Sequence, residues 1–267
     1  MKYYEYYDTN NRRNFMRLLI TNDDGINSYG LHMLVREMEK EHEVIVVAPE
    51  EQKSACGHSV TIHKPMRVRE VKIEGIKSRA FSVNGTPADC VKIAVEKLLK
   101  SRVDMVLSGI NQGLNIGTDV IYSGTVSAAI ESSIYKIPSM AVSMDIRNGD
   151  KCYGTAAVYA KDILKIAQMK DIKNDFVLNV NVPWMQSENI SGIKICNLGN
   201  RIYTNCYIET MENGEKFYEL NGNPTEGEEE ETDVFYVKKG YITVTPLHYD
   251  LTNFKVIKEV ADWFKDN

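Results

Sequence analysis

The sequence predicts an α/β protein built on a parallel sheet with helices on both faces. Short apolar runs of strand length recur along the chain, and segments with apolar residues at helical spacing stand between them. The runs stop at Gly, Pro or acidic residues, which punctuate strands and open turns. Strands and helices alternating in this way make a sheet whose parallel strands are joined by helical crossovers.

Taken in order, Leu18-Leu19-Ile20-Thr21 reads as a buried first strand ended by Asn22-Asp23-Asp24-Gly25. Tyr29 to Glu41 carries Leu31, Leu34, Val35 and Met38 at helical spacing, and Val44-Ile45-Val46-Val47-Ala48 is a second buried strand stopped by Pro49. Val60 to Val71 and Ala80 to Val83 look like extended ribbon around a turn at Glu74-Gly75. Thr86 then caps a helix with Pro87 at its first position, running to about Lys100. Val103 to Leu107 is a third buried strand, followed by a Gly- and Asn-rich loop to Thr118 and a helix from Val126 to Tyr135. Ile137 to Val142 and Phe176 to Val182 read as strands flanking a helix over Thr155 to Gln168.

The pattern changes near residue 198. Tyr203 to Thr210 and Lys216 to Leu220 flank Glu212-Asn213-Gly214, an Asn-Gly hairpin signal with no helix following it. An aromatic two-stranded ribbon is marginal alone in water, so residues 200–240 are expected to pack on the core or on another subunit. The acidic run Glu226 to Glu231 reads as a solvated loop. Tyr241 to Thr245 returns to a strand, and a helix over Phe254 to Phe264 closes the chain. Residues 1–15 are polar and precede Met16, a natural start for the fold; they read as either a disordered extension or the product of an upstream start codon, ahead of an α/β domain at 16–267.

Composition narrows the function. A chain of 267 residues with 43% hydrophobic and 26% charged residues is of ordinary globular type. Its formal charge of −5 argues against a general binder of nucleic-acid polymers. No apolar stretch is long enough to span a bilayer, and the N-terminus lacks a signal-peptide core. Cysteines 56, 90, 152, 196 and 206 are scattered and form no Cys-x-x-Cys, which points to a reducing, cytoplasmic setting.

Ligand sites of open α/β sheets lie at the carboxyl ends of the strands. Asp23 and Asp24 stand there, and two carboxylates about 5 Å apart repel by about 3 kcal/mol at an effective dielectric near 20. A divalent metal would offset that repulsion; Asp-Asp-Gly is also good turn chemistry without one. The loops after the second and third strands add Ser54 and Asn111, giving two carboxylates, a hydroxyl and a carboxamide. These hard oxygen donors suit Mg²⁺, Mn²⁺ or Ca²⁺ better than zinc. Ser123-Gly124-Thr125 precedes a helix, where free N–H groups make a phosphate site or the side chains simply cap. Ser54 lacks a nucleophile-elbow setting, and His58 is either structural or a proton donor to a leaving group. No Gly-x-Gly-x-x-Gly follows the first strand and no P-loop lysine pattern occurs, which counts against a dinucleotide or P-loop site.

Several motifs, in register, resemble the SurE (survival protein E) nucleotidases. They are Asn22-Asp23-Asp24-Gly25-Ile26, Ser54-Ala55-x-Gly57-His58-Ser59, Gly85-Thr86-Pro87-Ala88-Asp89-Cys90-Val91, Ser108-Gly109-Ile110-Asn111-x-Gly113-x-Asn115-x-Gly117 and Ser123-Gly124-Thr125-Val126-Ser127. The resemblance runs in order from about Met16 to the end, including Ile242-Thr243-Val244-Thr245-Pro246-Leu247 near the C-terminus. Cys56, Gln112 and Ser132 stand where the family more often has Thr, a basic residue or His, and Gly.

The resemblance implies a Rossmann-like three-layer core with a C-terminal hairpin arm. It also implies a phosphatase acting on nucleoside 5′- and 3′-monophosphates with one Mg²⁺ or Mn²⁺ per subunit. Its metal ligands fall on Asp23, Asp24, Ser54 and Asn111, and it implies a homodimer or homotetramer assembled through the 200–240 arm. On that reading Asp23, Asp24 and Asn111 carry the chemistry through an activated water, while Asn22, Ser123, Gly124 and Thr125 hold substrate phosphate. Two other readings stand beside it: a covalent phosphoserine mechanism at Ser54 and a non-catalytic nucleotide sensor.

Overall fold

The computed structural model describes residues 15–146, 152–170, 175–204, 207–227 and 229–265. The proposed N-terminal extension lies outside the described residues, apart from residue 15.

The first strand, β1 (Arg17–Thr21), alternates its side chains between two apolar layers. Leu18 and Ile20 pack with residues of α1 (Tyr29–Met38), while Leu19 faces the opposite layer. Beyond α1 come β2 (Glu43–Pro49), β3 (Val68–Val71), β4 (Arg79–Val83) and α2 (Pro87–Ile93), which continues as a π turn over Ala94–Leu98. Then follow β5 (Met105–Gln112), α3 (Gly124–Ile134), β6 (Ser139–Met144), α4 (Tyr153–Met169), β7 (Val177–Val182) and β8 (Ile193–Ile195). The arm strands are β9 (Arg201–Thr204), β10 (Tyr207–Glu212), β11 (Glu215–Leu220) and β12 (Asn223–Glu226). The chain closes with α5 (Asp233–Lys238), β13 (Ile242–Leu247) and α6 (Ile257–Asp262).

Nine strands form one sheet in the order β3-β4-β2-β1-β5-β6-β7-β13-β8. Leu31, Leu34 and Val35 of α1 and Ala156, Ala160 and Leu164 of α4 fill one face against Leu18, Ile20, Val46 and Leu107. Cys90 and Val91 of α2 and Ala128 of α3 fill the other against Leu19, Val47 and Val106. The expected three layers are therefore present, each helix burying one stripe.

The sheet departs from all-parallel at its margins: β3 runs antiparallel to β4, and β13 antiparallel to β7. A short connection such as the 72–78 turn between β3 and β4 can only reverse the chain, since a parallel return needs a crossover. Other boundaries moved too. Residues 53–67 form no strand, so the first ribbon strand begins at Val68. β5 runs on to Gln112, beyond the apolar run ending at Leu107, with a register shift against β6 between Gly109 and Asn111. Backbone pairing with β6, through Asn111 and Gln112, sustains it where side-chain hydrophobicity no longer signals a strand. Helix α5 escaped the sequence reading: it follows the acidic run, starts at the Thr232 cap and buries Val234 and Val237 against Ile116.

β10 and β11 pair around Asn213-Gly214, both with positive φ (51° and 85°), as the Asn-Gly signal requires. β9 and β12 pair antiparallel alongside them in sequence, and helix α5 follows the arm after the acidic run, where the sequence showed no helix signal. Its side chains, Tyr207, Phe217 and Tyr218 included, are exposed. At its base, Arg201 and the Tyr203 hydroxyl both reach the Asp119 carboxylate, at 2.5 and 2.7 Å. Among the described residues no disulfide joins cysteines, and no helix is long and apolar enough to cross a membrane.

Chain order places the crevice. From β1 the chain moves to β2 and β4 on one side, then returns at β5 on the other. This reversal between β1 and β5 opens a ligand crevice at the carboxyl ends of both strands.

Candidate active site

Asn22-Asp23-Asp24 leaves β1 into that crevice. Asn22 is fully buried, and its amide donates to the Gly25 carbonyl (3.1 Å) and Ser28 Oγ (2.7 Å). These bonds fix the turn on which the acidic pair stands. Asp23 is only 4% exposed, and its Oδ1 accepts from the Thr125 hydroxyl. Burial above all, with the Asp24 charge adding, pushes the Asp23 carboxyl up to about 6, although the Thr125 hydroxyl and backbone N–H pull the other way. Asp24 is half-buried; its Oδ2 accepts from the Gln112 N–H (3.0 Å) and its Oδ1 from the Gln52 amide (3.2 Å). Burial raises its carboxyl as well, against these two hydrogen bonds.

Ser54 stands exposed on the loop after β2. The Lys53 N–H donates to the Asp23 carbonyl (2.7 Å), which lays this loop beside the acidic turn. Gln52 completes the link: its amide donates both to Asp24 Oδ1 and to Ser54 Oγ (2.9 Å). Asn111 lies near the end of β5, one residue before the Gln112 N–H that grips Asp24. Its amide nitrogen donates to the Gly113 carbonyl (2.9 Å), so its carboxamide oxygen is the group it has to offer. The first turn of α3 closes the site. Ser123 caps it by accepting from the Val126 N–H (3.1 Å), and a Cβ on Gly124 would stand 2.8 Å from the Asp23 Cβ and 3.0 Å from Cys56 Sγ. Only glycine allows α3 this close to the acidic pair.

The fold thus gathers Asp23, Asp24, Ser54, Asn111 and the Ser123–Thr125 turn, from four separate segments, at the carboxyl end of the central strands. Among the described residues no three His, Cys, Asp or Glu side chains cluster as a metal site. The donor set here is different in kind: two carboxylates plus neutral oxygens of Ser54 and Asn111, a set that fits a hard divalent cation. The pressed-together acidic pair, with Asp23 raised to about 6, is what such a cation would relieve.

Three features were not read from the sequence. Gln52 ties Ser54 to Asp24, Thr125 serves Asp23 directly, and Tyr153 at the start of α4 sits near enough to Asp24 that burial and this charge push its phenol up to about 12. Gln52 lies two residues from Ser54 and could have been weighed as a carboxylate partner. Tyr153 is distant in sequence and carried no signal.

A family model for Survival protein SurE matches residues 18–205. The chain is 49% identical over 249 residues to the 5′-nucleotidase SurE of Clostridium tetani, spanning 93% of this chain and 100% of that one. It is 46% identical over 252 residues to the 5′-nucleotidase SurE of Clostridium botulinum strain Alaska E43, spanning 94% and 100%. The crystal structure of the SurE protein from Aquifex aeolicus superposes with a TM-score of 0.81 at 38% identity, covering 92% of this chain and 99% of that one. With that match over most of its length, and with the same fold, this chain belongs to the SurE family.

Proposed function

We propose that this protein is a metal-dependent 5′-nucleotidase, hydrolysing nucleoside 5′-monophosphates, and 3′-monophosphates as well, to nucleoside and phosphate. The observation that carries the reading is the convergence of Asp23, Asp24, Ser54 and Asn111 at the β1/β5 crevice of a SurE chain. These four residues would hold one Mg²⁺ or Mn²⁺ per subunit. When bound, such a cation supplies Lewis-acid charge to phosphoryl oxygens and makes water a competent nucleophile at neutral pH.

The chain's own residues supply the rest. Thr125 orients Asp23, and Gln52 sets Asp24 and Ser54 relative to each other. The amide of Gln52 donates to Ser54 Oγ and cannot take its proton, which favours Ser54 as a ligand over Ser54 as a covalent nucleophile. The N-terminus of α3, at Ser123–Thr125, directs its positive dipole end toward the crevice and would hold substrate phosphate. Asn22 would act through the turn it fixes. Lys53 is the one basic side chain in these segments, so the cation must supply most of the charge neutralisation.

We also propose that the 200–240 arm pairs subunits into a homodimer or homotetramer. The exposed Tyr207, Phe217 and Tyr218 support this reading. The activity is tested by phosphate release from nucleoside 5′- and 3′-monophosphates and polyphosphate with Mg²⁺, Mn²⁺, Ca²⁺ or EDTA. Release that needs Mg²⁺ or Mn²⁺ and stops in EDTA is the expected result; release unaffected by EDTA would overturn the reading.

A further inference from the structure

We propose that His58 is a positioning residue that holds Ser54 in place through the buried carboxylate of Glu131. The inference rests on the reading of Ser54 as a metal ligand.

The segment carrying Ser54 has no strand neighbour to hold it, since residues 53–67 form no ladder. Its place depends on individual ties. Before Ser54, the Glu50 N–H donates to the Val83 carbonyl and the Lys53 N–H to the Asp23 carbonyl, each at 2.7 Å. After it, the Gly57 N–H donates to the Tyr122 carbonyl (3.0 Å), and His58 Nε2 lies 2.7 Å from Glu131 Oε2. Between these anchors stand Ser54, Ala55 and Cys56, with Ala55 in the left-handed region at φ 54°. A short span with one residue in that region has few conformations once both ends are held.

Glu131 is built as an anchor. Its side chain is 4% exposed, and each carboxylate oxygen is used: Oε2 by His58 and Oε1 by Lys92 of α2, at 3.0 Å. Burial pushes its carboxyl up, but the bonds from His58 and Lys92 outweigh this and hold it below the usual range. A buried carboxylate is costly unless paired in this way, and as a charged acceptor it grips His58 more strongly than a neutral group would.

The geometry also explains why this anchor lies on α3. Glu131 stands about two turns along that helix from Gly124. The first turn of the same helix holds Asp23 through Thr125. The His58–Glu131 bond therefore refers Ser54 to the element that already positions Asp23. Two donors from different loops are set against one rigid helix, as supporting bonds around metal ligands commonly do.

The pair His58→Asn and His58→Gln tests this. Asparagine is too short to reach Glu131, whereas glutamine carries its amide nitrogen about as far as the imidazole Nε2. Mn²⁺ affinity of the full-length protein is measured by isothermal titration calorimetry, with circular dichroism melts to show that each variant folds. H58N is expected to weaken Mn²⁺ binding about 10- to 100-fold, and H58Q to stay within about 3-fold of the unsubstituted protein. In an S54A background, H58N is expected to add no further loss, because its effect runs through Ser54. Equal affinities for H58N and the unsubstituted protein, or the same loss with and without Ser54, would overturn the inference alone. An S54A variant with undiminished Mn²⁺ affinity would instead remove the ligand reading of Ser54 and the inference with it.

Discussion

Asp23 shows how one residue serves the site at a cost to the fold. Its carboxyl titrates near 6 in the folded chain, above the ordinary 3.8, so the folded state binds this proton more tightly than the unfolded one. Without metal the penalty is absent below pH 3.8, grows between 3.8 and 6, and is complete above 6, where it amounts to about 3 kcal/mol. Asp23→Asn is therefore expected to abolish phosphatase activity and yet to melt several degrees higher than the parent in EDTA at pH 8. At pH 4 the two should differ little. Thermal melts at the two pH values check it; a destabilised variant at pH 8 would mean the carboxylate is structural. Ser54→Ala has no such charge term. It is expected to lower Mn²⁺ affinity and to retain turnover at high metal, read from the rate against Mn²⁺ concentration.

At the scale of elements, the site depends on how closely helices approach the central strands. Gly30, in the first turn of α1, faces β5 so tightly that a Cβ there would stand 2.1 Å from the Ile110 carbonyl oxygen and 3.0 Å from the Tyr153 ring. Backbone cannot yield as a flexible side chain can. Gly30→Ala is thus expected to destabilise the protein by about 1–3 kcal/mol through overpacking. The displacement would also pass into Asn111, which follows Ile110 on the same strand. A urea unfolding midpoint measures the first effect, and the Mn²⁺ dependence of phosphate release the second. A variant with unchanged midpoint would show that α1 can shift without cost.

For the whole molecule, the arm raises the question of assembly. The side chains of its outer part, residues 207–220, are exposed along both strands. Removing 207–220 and closing the gap with a short Gly/Ser turn leaves the Arg201 and Tyr203 ties to Asp119 intact. That variant is expected to be monomeric by light scattering and to keep Mn²⁺ binding. An unchanged oligomer would place the interface elsewhere.

The sequence by itself determined the element types wherever burial writes a periodicity. The runs at Leu18–Thr21 and Val44–Ala48, the spacing of Leu31, Leu34, Val35 and Met38, and the Thr86-Pro87 cap all became the elements they announce. The Asn-Gly turn of the arm was legible for the same local reason, since φ is a property of the residue in place. Strand-end logic also brought the loops that carry Asp23, Asp24, Ser54 and Asn111 to one crevice, because loops at the carboxyl ends of parallel strands must meet; the choice of these four as a ligand set came from the family resemblance. Only the tertiary structure decided that β5 continues through Asn111, that the outer strands reverse, and that Thr125 and Gln52 serve the acidic pair. It likewise decided that His58 turns to Glu131, a partner 73 residues away. Such pairings depend on which segments the packed sheet brings into contact, and a single residue's chemistry carries no record of its distant neighbour.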